Sequence, residues 1–124
     1  MENLETVAEK VGMLLDSEIE VLAEKCIVKK KRAIKSSVLD LDISFERFRH
    51  TGFALNKAEI FLLPEECPVF TLALIQKDIP LPSSYKQRQV ANPNIITLYL
   101  EAVEPPELFA SRLAKAFRAI NQLK

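Results

Sequence analysis

The sequence predicts an α+β fold: a two-layer domain with a mainly antiparallel sheet of about four strands and amphipathic helices at both ends. Three observations predict it. Leu4, Val7, Ala8, Val11, Leu14 and Leu15 recur at spacings of three and four, the period of one helix face. Leu39, Leu41, Ile43 and Phe45 alternate with Asp40, Asp42, Ser44 and Glu46, the period-two pattern of a strand with one dry and one wet side. Phe109, Leu113, Ala116, Phe117, Ile120 and Leu123 form a second helical stripe.

The elements follow in order. The first stripe continues through Ile19, Leu22, Ala23 and Cys26, so a helix is expected over 2–25, with a break near 16 where Ser17-x-x-Glu20 has the form of a capping box. A competing reading makes Ile19–Val28 a strand. The alternating segment predicts a strand over 37–49, and Thr51-Gly52 marks the turn after it. Ala58–Leu63 and Val69–Gln76 are short apolar runs around Pro64-Glu65-Glu66-Cys67-Pro68. They read as a hairpin, apolar on both sides and central to the sheet. Residues 77–94 are polar and interrupted by Pro80, Pro82 and Pro93, which predicts a long loop or one short helix. A last strand is expected over Ile95–Val103. Pro105-Pro106 then opens the C-terminal helix, since the first turn tolerates a missing N–H; Arg112, Lys115 and Arg118 fall together on its polar side.

Composition narrows the chemistry. The 124 residues are 48% apolar and 27% charged, which predicts one globular domain over 1–124. Only Gly12 and Gly52 are glycines, where average usage would give about nine. Neither a Walker A loop nor a G-x-G-x-x-G fingerprint is present, and phosphate loops of those kinds need glycines for close backbone approach. One histidine, His50, and two well-separated cysteines, Cys26 and Cys67, do not supply zinc-ligand spacing. No metal and no cofactor is expected. The two cysteines read as reduced, buried thiols. An acidic N-terminus and the lack of a long apolar run predict a soluble, cytoplasmic protein with no membrane partner.

Net charge is zero but segregated. Residues 1–24 carry seven acids and one base; residues 25–35 carry six bases and no acid. Lys29, Lys30, Lys31, Arg32 and Lys35 are the candidate contacts for an anion or nucleic acid, with Arg47, Arg49 and His50 as a possible extension; the same run also reads as a solvated connector. Tyr85, Lys86 and Arg88 form the candidate binding loop, offering an aromatic ring and two cations. Phe61, Leu63, Phe70 and Leu72 are the candidate interface, because a hairpin apolar on both sides leaves one side for a partner to cover. No catalytic set emerges. Cys67 lies in an acidic loop that disfavours its thiolate, Glu65 and Glu66 read as solvated, and Asp40 and Asp42 read as a wet strand face. The leading expectation is therefore a small non-catalytic protein-interaction module, acting as a homodimer or as an adaptor or chaperone-like subunit. The alternative is a nucleic-acid-binding accessory protein using segment 29–35.

Overall fold

The computed structural model describes residues 4–15, 18–22, 25–29, 40–46, 52–75 and 81–122. Helix α1 spans Leu4–Leu15, and strands β1 Glu18–Leu22, β2 Lys25–Lys29, β3 Asp40–Glu46 and β4 Ala54–Leu62 follow. Helix α2 is Cys67–Leu74, β5 is Lys86–Ala91, β6 is Ile96–Glu104, and helix α3 is Pro106–Asn121. The six strands form one open antiparallel sheet in the order β1-β2-β3-β4-β6-β5. The α+β architecture with terminal helices is as the periodicities predict, with six strands among the described residues in place of about four.

Strand parity divides the sheet into two faces. Ala54, Asn56, Ala58, Ile60 and Leu62 of β4 are buried, and their neighbours Leu98, Leu100, Ala102 and Glu104 of β6 lie opposite them. Ile43 and Phe45 of β3 continue this face. Val7, Val11 and Leu15 of α1, Phe70 and Leu74 of α2, and Leu113, Phe117 and Ile120 of α3 join them in one apolar core. Each large aliphatic or aromatic side chain so buried contributes about 1.5–3 kcal/mol. Phe70 meets Phe117 edge to face, with centroids 5.3 Å apart.

Three expectations are corrected. The helix expected over 2–25 ends at Leu15, and β1 and β2 pair as a hairpin with Ile19 opposite Val28 and Val21 opposite Cys26. The β-branched residues there favour a pleated backbone. The second arm of the expected central hairpin, 69–76, is helical instead: Cys67, Phe70 and Leu74 are buried at helical spacing while Leu72 points outward. Period alone does not separate a short apolar strand from a short buried helix. The expected loop or helix at 77–94 contains strand β5, joined to β6 by the two-residue turn Pro93-Asn94. The turn before β4 uses Gly52 at φ 92°, a backbone conformation only glycine adopts freely.

Candidate functional site

The face of the sheet that no described helix covers carries the charged side chains. Its centre is not apolar, as the hairpin reading expected; it consists of cross-strand rows of charge. In one row Ser44, Lys57, Glu101 and Lys86 follow one another across β3, β4, β6 and β5. In the next row come Glu59, Tyr99 and Arg88. Phe61, Thr97 and Val90 form a third. The first two rows line a shallow depression of about 520 Å³. Opposite charges side by side on a sheet stabilise each other modestly. Lys57 also reaches diagonally to Glu46, with Nζ 3.6 Å from Oε1. The Arg88 guanidinium sits over the Tyr99 ring, 4.2 Å from its centroid, a cation–π contact that holds the arginine flat against the strand.

Lys86 and Arg88, taken from the sequence as loop residues, thus stand on the outermost strand and form one wall of this depression. Tyr85 goes elsewhere. It is half-buried against the core, its hydroxyl donates to Gln87 Oε1 at 2.8 Å, and its phenol is pushed up to about 12, chiefly by burial and further by the Glu104 carboxylate, against a lowering by Arg112. Ser84 Oγ donates to the Val103 carbonyl at 3.2 Å and accepts the Val103 N–H at 2.9 Å, two residues beyond the last β5–β6 pair, Lys86 and Glu101.

The candidate interface divides. Phe70 is fully buried beneath α3 and cannot meet a partner. Phe61 and Leu63 are half-buried at the end of β4. Leu72 is 74% exposed, and Ile75 just beyond α2 is 61% exposed. Of the basic run, Lys29 ends β2, while Lys30, Lys31, Arg32 and Lys35 lie outside the described residues, as do Arg47, Arg49 and His50.

Two charged side chains are buried, Glu66, which the sequence reads as solvated, and Arg112, which it places beside Lys115 and Arg118 on the other side of the helical stripe. Glu66 has no exposure and accepts the Leu63 N–H on Oε1 at 2.9 Å, which closes the turn into α2. Arg112 leaves the polar side of α3 and pairs with Glu104 inside the core. Cys67 is a free, buried thiol whose pKa burial raises. Its Sγ lies 3.7 Å from Gln89 Oε1, placing the start of α2 against β5.

Sequence reasoning missed Lys57, Glu59, Tyr99 and Glu101. The signal was present: Leu55-x-Lys57-x-Glu59 and Thr97-x-Tyr99-x-Glu101 alternate with buried residues. The depression sets cations beside carboxylates, with the Tyr99 ring stacked under Arg88. Among the described residues, no helix is long and apolar enough to cross a membrane. No protein-family model, no curated protein and no solved structure matches this chain.

Proposed function

We propose that this chain is a small non-catalytic protein-interaction module, of the adaptor or chaperone-like kind, that works as a homodimer by docking through the outer side of α2. The observation that carries this reading is the exposure of Leu72 and Ile75, three residues apart on and just after a short helix. Large apolar side chains concentrated in this way mark interaction surfaces more often than isolated ones do. Cys67, Phe70 and Leu74 anchor the helix in the core, so Leu72 is presented outward from a packed element. A cytoplasmic setting belongs to the same proposal, because the unpaired Cys67 thiol suits a reducing compartment.

Light scattering across a concentration series tests it. The wild type should show a mass of two chains, and Leu72→Asp with Ile75→Asp should show one. A wild type of single-chain mass at every concentration removes the homodimer.

A further inference from the structure

Strand β5 has an outer edge that no described strand pairs with, and its orientation follows from one turn. The Asn92 N–H donates to the Ile95 carbonyl at 2.8 Å, and the Ile95 N–H returns to the Asn92 carbonyl at 3.4 Å. That pair closes the hairpin. Hydrogen-bonded and non-bonded pairs alternate along an antiparallel ladder. Val90, Arg88 and Lys86 therefore turn their backbone groups inward to Thr97, Tyr99 and Glu101. Gln87, Gln89 and Ala91 turn theirs outward. All six residues of β5 are exposed, and no described strand pairs with this edge. Upstream, the Tyr85 N–H is used by the Pro82 carbonyl at 3.0 Å, so the open stretch starts at Gln87.

The charges say what would fit beside it. Across the exposed face one row reads Lys57, Glu101, Lys86, and the next reads Glu59, Tyr99, Arg88. Both rows end in a cation at this outer edge, so the position that continues each favours an acid. The third row ends in Val90, which favours an apolar side chain. A second copy of β5 is a poor occupant: it brings two further cations and no carboxylate to the seam. Edge cations of this kind keep like edges apart.

We propose that the outer edge of β5 receives an extended segment of a partner protein with acidic residues at alternate positions opposite Lys86 and Arg88 and an apolar residue opposite Val90. The backbone groups of Gln87, Gln89 and Ala91 supply the hydrogen bonds, and the alternating side chains select the sequence. This is independent of pairing through α2.

The probe is a synthetic peptide of alternating glutamate and threonine ending in valine, with a control carrying lysine for glutamate. Binding to the full chain is followed by fluorescence anisotropy, and protection of single amides by hydrogen exchange. The acidic peptide should bind and the lysine peptide should not, with binding weakened by salt. The Gln87, Gln89 and Ala91 amides should slow on binding. Lys86→Glu with Arg88→Glu should lose on the order of tenfold in affinity for the acidic peptide and gain affinity for the lysine peptide. Gln89→Pro should abolish binding while leaving the circular dichroism native, because the N–H it removes does not serve β6. Equal binding of both peptides, unchanged binding by Gln89→Pro, or no slowing at the three amides overturns the proposal. A two-chain mass that Gln89→Pro alone reduces to one chain also overturns it, by giving the edge to a second copy. Peptide binding by a chain of single-chain mass keeps it and removes only the homodimer.

Discussion

Glu104, the last residue of β6, and Arg112, two turns into α3, form a two-point ion pair inside the core. Nη2 of the arginine lies 3.1 Å from Oε1, and Nη1 pairs with Oε2. Arg112 is 1% exposed. The pair is braced by Asn56, whose Nδ2 is shared among the carbonyls of Glu104 at 2.9 Å and of Ala54 and Ala102 at 3.1 Å. This polar knot ties the two central strands to the helix that covers them. A forked guanidinium meeting both carboxylate oxygens fixes orientation as well as distance.

Removing one member of this pair should cost far more than removing both. Arg112→Met leaves the Glu104 carboxylate buried without its partner, and such losses run to about 3–5 kcal/mol. Arg112→Met combined with Glu104→Leu replaces the pair by apolar volume and should recover most of that loss. Urea unfolding of the three proteins measures it. A single variant within about 1 kcal/mol of wild type would mean that water reaches the pair.

Phe70 and Leu72 should behave oppositely, although both belong to the same apolar run. Phe70→Ala opens a cavity against Phe117 and should lose about 3–5 kcal/mol. Leu72→Ala touches little in the single chain and should stay within about 0.5 kcal/mol. Measured at concentrations where one chain predominates, equal losses would contradict the helical placement of this segment.

Elements that bury one side only were legible in the sequence. The stripe at Val7, Val11 and Leu15 and the alternation at Ile43 and Phe45 each signal an element that buries one side, and both elements form. Residues 67–74 were illegible because an eight-residue helix gives barely two turns of period, and its outward Leu72 is as apolar as its inward Phe70. Strand β5 was hidden for the opposite reason. All six of its residues are exposed, so no dry side exists to produce an alternation. Lys86 and Arg88 stood out as cations, but their neighbours Glu101 and Tyr99 come from another strand, and register is set by the Pro93-Asn94 turn rather than by composition. Arg112 falls with Lys115 and Arg118 on the side away from the apolar stripe, and nothing in that spacing signals that a well-formed buried pair holds it inside.

Cys67 should be inert in the folded chain. Burial raises its pKa and keeps the thiolate scarce at neutral pH, and only the thiolate attacks disulfide reagents. With Cys26→Ser, Cys67 is the sole remaining cysteine. Labelling by an aromatic disulfide reagent should then be slow in buffer and rapid in denaturant. Fast labelling under native conditions would show that the junction of α2 and β5 opens readily.

Tyr85 gives the fold an alkaline limit with a definite sign. Its phenol is raised to about 12 in the folded chain, first by burial and then by Glu104, with Arg112 opposing. An unfolded tyrosine ionises near about 10. Between those values the unfolded chain has released the proton and the folded chain still holds it, so stability falls as pH rises from about 10 to about 12. Below about 10 the contribution is fully present. Tyr99→Phe leaves Tyr85 as the sole tyrosine, so near-ultraviolet absorbance then follows one phenol. It should remain un-ionised through the pH at which a free tyrosine is half titrated, while circular dichroism stays native. In urea unfolding, the wild type should lose stability across this window more steeply than Tyr85→Phe. A free-tyrosine midpoint for Tyr85 in the native chain would place the ring in water, and the segment before β5 would then not be seated on the core.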